Sequence, residues 1–252
     1  MMRNRGKRMK KPKMILFDYG QTLFCEPGFD TLRGEEALFK YIKSNKNNLT
    51  PKQVNEFSKE LFEKIGTVRE IGLELHEQQF QRFLYEYLEI ELSISLPEAE
   101  MVYWRNTSVG SIMPNADKII DYINKNGIRS GVISNIGWSG RALTDRINRL
   151  MPQNRFEFII ASSEYMFRKP DPMLFELALK KAELNADDVW FCGDNIKADV
   201  EGSAKVGIFP VWYEDETLEN PWFGKYNGIA PNCDHLHIHD WMECIEALEG
   251  LE

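Results

Sequence analysis

The strongest constraint on the fold is a short apolar run that ends at one acidic residue. Residues 14–17 read Met-Ile-Leu-Phe, and Asp18 follows directly. A strand buried on both faces of a parallel sheet requires such a run, because neither of its sides meets water. Open α/β sheets bind ligands just beyond the carboxyl ends of their strands. The stretch therefore predicts a central strand with a carboxylate at the ligand-binding edge. Gly20 would let the loop turn closely, and Thr22 would add a hydroxyl.

Length and composition indicate a globular chain of one or two domains. It has 252 residues, of which 43% are hydrophobic and 28% are charged. No apolar run reaches the length of a membrane span, and no secretory signal follows the basic start. The four cysteines are scattered without a CxxC pair, which is typical of a protein of the reducing cytoplasm. We therefore expect a cytoplasmic protein that does not act at a membrane.

Charge is distributed unevenly along the chain. Residues 1–13 carry seven Lys or Arg and no acid, whereas the remainder carries 24 basic and 39 acidic residues, a net charge of −15. An acidic body is a poor nucleic-acid binder, so we expect no nucleic-acid partner. The basic tail, residues 1–13, is interpreted as a disordered leader or as the result of a start codon assigned upstream of the true one. Contact of this tail with RNA or anionic lipid is the alternative.

The segment that follows the first motif has helical periodicity. Thr50-Pro51-Lys52-Gln53 and Ser95-Leu96-Pro97-Glu98 both have the pattern of a helix start with a capping box. Apolar residues recur at helical spacing from about residue 30 to residue 108, including a helix expected from Leu73 to Ile90. We predict an all-helical insert over residues 25–108, with the core formed by residues 14–24 and 109–252.

Beyond Pro114, helical and strand patterns alternate. Buried strands are expected over 128–133, 156–161, 189–192, 208–213 and 235–238, with helices between them. Alternation of this kind predicts an α/β fold with a doubly wound parallel sheet.

Several of these strands end in polar residues. Asp18 follows the first strand, Ser134-Asn135 and Gly193-Asp194 follow two others, and Lys169 lies on a loop between them. In a parallel sheet these residues meet at one edge. Two carboxylates suit Mg²⁺, while a hydroxyl, an ammonium group and backbone N–H groups suit a phosphoryl group. A carboxylate among them could attack phosphorus and form an aspartyl-phosphate.

The order of these residues resembles the haloacid dehalogenase-like (HAD) hydrolase superfamily. The matching motifs are Asp18-x-x-x-Thr22, Ser134-Asn135, Lys169-Pro170-Asp171-Pro172 and Gly193-Asp194-x4-Asp199, and they span the chain beyond the tail. The resemblance implies a Rossmann-like core, with the predicted insert placed where such proteins carry an α-helical cap.

The resemblance also implies a role for each motif residue. Asp18 would be the nucleophile and a Mg²⁺ ligand, with the Gly20 carbonyl, Asp194 and Asp199 completing the metal site. Lys169 and Ser134 would contact the phosphoryl group as catalytic residues. Gly20, Thr22 and Asn135 would lie against a small phosphorylated substrate. The alternatives are a solvated loop lysine at 169 and a surface acid at 199.

One position departs from the pattern. Phosphatases of this family usually have a second Asp two residues after the nucleophile, where it protonates the leaving group, but this chain has Gly20. Loss of a positioned acid typically lowers the rate by about 10²–10⁴-fold. Glu26, Gln21 and Glu70 are the substitutes that the sequence offers.

This departure leaves three hypotheses. The first is a Mg²⁺-dependent phosphatase that favours good leaving groups. The second is a metal- and phosphate-binding protein with impaired turnover. The third is a phosphonatase- or dehalogenase-like enzyme. A phosphonatase needs a Schiff-base lysine from the insert, and the candidates are Lys40, Lys43, Lys59 and Lys64.

Other candidates are weaker. His235, His237 and His239 alternate, so in a strand they share one face, as a metal site could require. A structural or surface role is the favoured interpretation for them. Ion pairing or solvation is favoured over substrate binding for the arginines Arg33, Arg69, Arg105 and Arg141.

Overall fold

A computed structural model describes residues 9–215 and 229–251 of the chain. Residues 1–8 of the predicted basic tail lie outside the described residues. The end of that tail is attached to the core, because Lys10 and Lys13 place their Nζ atoms 2.6 and 3.0 Å from the Asp188 carboxylate. No helix in the described ranges combines the length and the apolar character needed to cross a bilayer.

The strands and helices follow the alternation expected from the sequence outside the insert. The strands are β1 (Met14–Phe17), β2 (Phe24–Cys25), β3 (Ile42–Asn45), β4 (Ile90–Leu92), β5 (Ser111–Ile112), β6 (Arg129–Ser134), β7 (Ile159–Ala161), β8 (Val189–Gly193), β9 (Phe209–Tyr213) and β10 (Leu236–Ile238). The α-helices are α1 (Thr31–Leu38), α2 (Pro51–Ile65), α3 (Thr67–Glu70), α4 (Glu77–Tyr87), α5 (Leu96–Thr107), α6 (Ala116–Lys125), α7 (Gly140–Leu150), α8 (Pro172–Ala182), α9 (Glu201–Lys205) and α10 (Trp241–Glu249).

Six strands form one parallel sheet in the order β10-β9-β8-β1-β6-β7. All four residues of β1 are fully buried, and they alternate between two apolar clusters, so the sheet is covered on both faces. This confirms the predicted α/β fold with a doubly wound parallel sheet. Phe17, the last residue of β1, pairs with Val132 on one side and Cys192 on the other. The ends of β1, β6 and β8 therefore meet at one edge.

The predicted insert packs around an apolar core of its own, which includes Leu38, Val54 and Leu84. Both predicted capping boxes, at Thr50 and Ser95, are present. The prediction that the insert is all-helical was incomplete, since β3 and β4 form a two-stranded antiparallel sheet within it. These strands are mostly polar and half exposed, so they lack the apolar run by which a buried strand is recognised.

The two connections between the sheet and the insert lie side by side. β2 leaves the core and β5 returns to it, and the two pair antiparallel through Phe24–Ile112 and Cys25–Ser111. The pairing lies within one to four residues of the predicted boundaries at 25 and 108, and those boundaries remain a prediction.

Candidate active site

Asp18 stands at the carboxyl end of β1. Its N–H donates to the Cys192 carbonyl at 2.9 Å, which continues the β1–β8 ladder one residue past the strand. Only 8% of the residue is exposed. In the loop that follows, the left-handed backbone conformation occurs at Gln21, with φ of 55°, and not at Gly20. The left-handed conformation of this turn therefore does not depend on glycine at position 20.

Lys169 is the cation of the site, and it is 3% exposed. Its Nζ lies 2.7 Å from Asp18 Oδ1, 2.7 Å from Asp199 Oδ1 and 2.8 Å from the Ile133 carbonyl oxygen. Burial acts to lower the pKa of Lys169, but the neighbouring carboxylates of Asp18 and Asp199 raise it above its ordinary value. The side chain is therefore an ammonium ion at neutral pH. Its burial is not compatible with the alternative of a solvated loop lysine.

Asp194 and Asp199 are brought in by the loop after β8. A π-helical turn, Ile196–Val200, carries Asp199 back toward the sheet, where its Oδ2 accepts from the Asn195 N–H at 3.0 Å. A Cβ at Gly193 would lie 2.4 Å from both Cβ and Cγ of Asp199. Position 193 thus requires glycine for the close approach of this carboxylate, which is 1% exposed and is not a surface acid.

The site holds more negative than positive charge. One carboxylate oxygen from each of Asp18, Asp194 and Asp199 lies within 4.8 Å of the other two, and the Lys169 ammonium group contacts Asp18 and Asp199. Burial raises the pKa of Asp194 and Asp199 above their usual range, and repulsion from neighbouring carboxylates adds to this. A divalent cation with oxygen ligands would remove the excess charge, so the donor set fits Mg²⁺.

Three further predicted residues lie around this centre. Ser134 ends β6 and is 3% exposed, next to the Ile133 carbonyl that Lys169 contacts. The carboxamide of Asn135 accepts from the Lys169 N–H at 2.7 Å and donates to its carbonyl at 2.8 Å. Asn135 therefore fixes the Lys169 backbone, and its contact with substrate stays a prediction. Thr22 is fully buried and donates from Oγ1 to Asp194 Oδ1 at 3.4 Å.

Position 20 has room for a side chain. A Cβ built on Gly20 meets no heavy atom within 4 Å. Of the proposed substitutes for the missing acid, Glu26 is engaged elsewhere, since its two oxygens accept from Tyr19 Oη at 2.6 Å and Arg146 at 2.7 Å. We therefore exclude Glu26 as the proton donor.

A second polar cluster joins the insert to the core, and the sequence reasoning missed it. Glu74, whose side chain is fully buried, accepts from Arg168, from Ser162 Oγ at 2.8 Å and from Arg69 Nε at 2.9 Å. The main chain pairs there too, because the Glu74 N–H donates to the Met166 carbonyl at 2.6 Å. These contacts hold the 71–76 loop beside the Lys169 loop. They also explain why the predicted helix from Leu73 begins only at Glu77.

Two of the candidate arginines are engaged in ion pairs, as the sequence favoured. Arg105 pairs with Asp145 at 2.8 Å, while Arg33 contacts Asp30 and main-chain carbonyls. The four insert lysines proposed for Schiff-base chemistry are all exposed. A Schiff-base lysine needs a lowered pKa, usually through burial, so the exposure does not favour the phosphonatase hypothesis.

Comparison with known proteins places the chain among related sequences and folds. Residues 35–212 match the family model described as haloacid dehalogenase-like hydrolase. The chain is 25% identical over 250 residues to the glyceraldehyde 3-phosphate phosphatase of Pyrococcus furiosus, covering 97% of this chain and 95% of that protein.

Two solved structures have the same fold. A HAD phosphatase from Thermococcus onnurineus superposes with a TM-score of 0.63 at 18% identity, over 96% of this chain and 99% of that one. A 2-haloacid dehalogenase from Pseudomonas syringae superposes with a TM-score of 0.61 at 21% identity, over 96% of this chain and 100% of that one. At such identities these likenesses show the fold alone.

Proposed function

The chain belongs to the haloacid dehalogenase-like hydrolase family, and from that premise we propose that it is a Mg²⁺-dependent phosphatase of small phosphorylated metabolites. The observation that carries the proposal is the charge of the site. Among the described residues, three buried carboxylates lie within 4.8 Å of one another, and one buried ammonium group, that of Lys169, contacts two of them. This imbalance favours a divalent cation and an anionic substrate group bound next to it.

Asp18, Asp194 and the Gly20 carbonyl would hold the ion, with Asp199 ligating it directly or orienting its ligands. Bound Mg²⁺ would offset charge on the transferring phosphoryl group. The other groups are supplied by the chain itself. Lys169 would stabilise the same charge, and Ser134 would bond a peripheral phosphoryl oxygen.

Asp18 would act as the nucleophile. Lys169 binds its Oδ1 at 2.7 Å, which fixes the carboxylate and leaves Oδ2 to attack phosphorus. In this step a bond would form between Asp18 and phosphorus, the ester P–O bond would break, and the leaving oxygen would take a proton from solvent. Water would then attack phosphorus, the bond between Asp18 and phosphorus would break, and inorganic phosphate and a proton would be released. Both steps rely on positioning and charge more than on proton transfer.

The absence of an acid side chain at Gly20 shapes the expected substrate range. Aryl and acyl phosphates release weakly basic oxygens and need little help from an acid, whereas alkyl phosphates need a proton at the leaving oxygen. We expect slower turnover on alkyl phosphates. The name of the Pyrococcus relative supports placing glyceraldehyde 3-phosphate among the first alkyl substrates tested. The four free cysteines fit action in a reducing cytoplasm.

The deciding experiment is a substrate panel with and without Mg²⁺, run on the wild type, Asp18→Asn and the exposed-surface control Asp121→Asn. We expect hydrolysis that requires Mg²⁺. The activity should be lost in Asp18→Asn and retained in Asp121→Asn. Metal-independent release of halide from a 2-haloacid would instead support a dehalogenase.

A binding protein with impaired turnover is the second candidate, and Gly20 is the observation in its favour. Beryllium fluoride, a phosphoryl mimic, should bind the wild type in a Mg²⁺-dependent manner under both hypotheses. Binding without turnover on any aryl, acyl or alkyl phosphate would favour the second.

A further inference from the structure

Two histidines and a glutamate converge at the carboxyl ends of β9 and β10, apart from the Asp18 site. His237 lies in β10, His239 follows that strand, and Glu214 follows β9. One ligand atom from each lies within 4.8 Å of the other two. We propose that these three side chains bind a divalent transition-metal ion of the Zn²⁺ class.

The spacing of the groups is close to that of metal ligands. His237 Nε2 and Glu214 Oε2 are 3.0 Å apart. Zn–N and Zn–O bonds of about 2.0–2.2 Å at tetrahedral angles place two ligands about 3.3–3.6 Å apart. An ion could therefore take the place of the shared hydrogen with little movement of either group, because the hydrogen of the neutral His237 ring can move to Nδ1 and leave the Nε2 lone pair for the metal.

The second histidine is already oriented. His239 Nδ1 lies 3.0 Å from the Glu214 carbonyl oxygen. Because a carbonyl only accepts, Nδ1 carries a hydrogen, so in the neutral imidazole it is Nε2 that offers the lone pair. Metal-binding histidines typically have such a bond from the other ring nitrogen, since it fixes both tautomer and orientation.

The backbone and a neighbouring ring hold the remaining groups. The Glu214 N–H donates to the Ile238 carbonyl at 2.9 Å, which ties the end of β9 to β10. Trp212 stacks on the His237 ring at 3.9 Å with an interplanar angle of 10°. The His237 and Glu214 side chains retain 33% and 30% exposure, so an ion can reach them from solvent.

The donor set distinguishes this ion from the one proposed at Asp18. Two imidazoles and a carboxylate suit Zn²⁺, Co²⁺, Ni²⁺ or Cu²⁺, whereas Mg²⁺ prefers oxygen ligands alone. Three protein ligands leave a fourth position for water. The alternation of histidines in the sequence suggested this site only weakly, because its third member comes from another strand.

Equilibrium dialysis with Zn²⁺ alone tests the proposal on the full chain. Asp194→Asn, which disables the carboxylate site, should retain one Zn²⁺ per chain. In that background, His237→Gln and His239→Gln should each weaken Zn²⁺ binding by about tenfold or more. His235→Gln should not, since the ring of His235 is not one of the three ligands.

Co²⁺ provides a second measurement that needs no variant. In saturating Mg²⁺, the chain should acquire the visible absorption of a four-coordinate Co²⁺ centre with nitrogen ligands. Equal Zn²⁺ binding by the wild type and the His237→Gln/His239→Gln double variant would overturn the proposal. Loss of all Zn²⁺ in Asp194→Asn, or a Co²⁺ spectrum of oxygen ligands only, would overturn it as well.

Discussion

Replacing Gly20 by aspartate would restore the acid that the family pattern places two residues after the nucleophile. The loop can accept the change, because a Cβ at this position meets no heavy atom within 4 Å. The backbone is also permissive, since the left-handed conformation belongs to the neighbouring Gln21. The substitution should therefore add a carboxyl group beside Asp18 without moving the loop.

The size of the effect follows from the role of the acid. A positioned general acid contributes about 10²–10⁴-fold to rate. At about 1.4 kcal/mol per tenfold, this lowers the barrier by about 3–5 kcal/mol. The gain should appear mainly in kcat on alkyl phosphates, whose leaving oxygen needs a proton. An aryl phosphate should gain much less.

The assay compares kcat for glyceraldehyde 3-phosphate and for an aryl phosphate at saturating Mg²⁺. Gly20→Asn is the matched control, because it has the size of aspartate but cannot donate a carboxyl proton. If Gly20→Asp is no faster than Gly20→Asn, or if both substrates gain equally, the missing-acid reasoning is refuted.

Three further predictions concern the site and the insert. Gly193→Ala should push the Asp199 carboxylate away and weaken activation by Mg²⁺ about 10–100-fold, measured by titrating turnover with the ion. Asn135→Ala removes two hydrogen bonds to the Lys169 backbone, so it should lower kcat more than it raises KM and reduce unfolding free energy by about 1–3 kcal/mol. Burial raises the pKa of Glu35 from 4.5 to about 7, so the folded state binds this proton more tightly than the unfolded state. Its contribution to stability is full below pH 4.5 and declines by at most about 3 kcal/mol as pH rises to about 7, and Glu35→Gln should remove that decline in urea unfolding at pH 5 and 8.

Each of these has an outcome that contradicts it. Unchanged Mg²⁺ activation in Gly193→Ala would mean that the loop relaxes around the methyl group. A rise in KM alone in Asn135→Ala would indicate substrate contact in place of positioning. A pH dependence of unfolding that is identical in Glu35→Gln and the wild type would mean that other groups determine it.

The sheet and the carboxyl-edge residues were predictable because their signals are local. The apolar run of β1 fixes a buried strand, and the parallel topology then brings Asp18, Lys169 and Asp194 to one edge regardless of what lies between them in sequence. The lack of space for a side chain at Gly193 could not be predicted from the sequence. It depends on how closely the π-helical turn brings Asp199 back to the strand.

The polar cluster around Glu74, which joins the insert to the core, was not predictable because it has no local sequence signal. Glu74 and Arg168 are 94 residues apart in sequence and neither lies in a motif, yet they form a buried ion pair. Apolar periodicity alone extends α4 back to Leu73. Pairing of the chain at Leu73 with Phe167 overrides that local preference.

The charge of the site links its stability to its chemistry. Lys169 is shared between Asp18 and Asp199, so it cannot also neutralise Asp194, which is buried with them. The raised pKa values of Asp194 and Asp199 mean that, without a bound cation, the folded chain reduces this negative charge by keeping a proton in the site. Mg²⁺ and that proton therefore compete for the same place, and ion affinity should rise with pH. The same excess of negative charge would give the metal its binding energy.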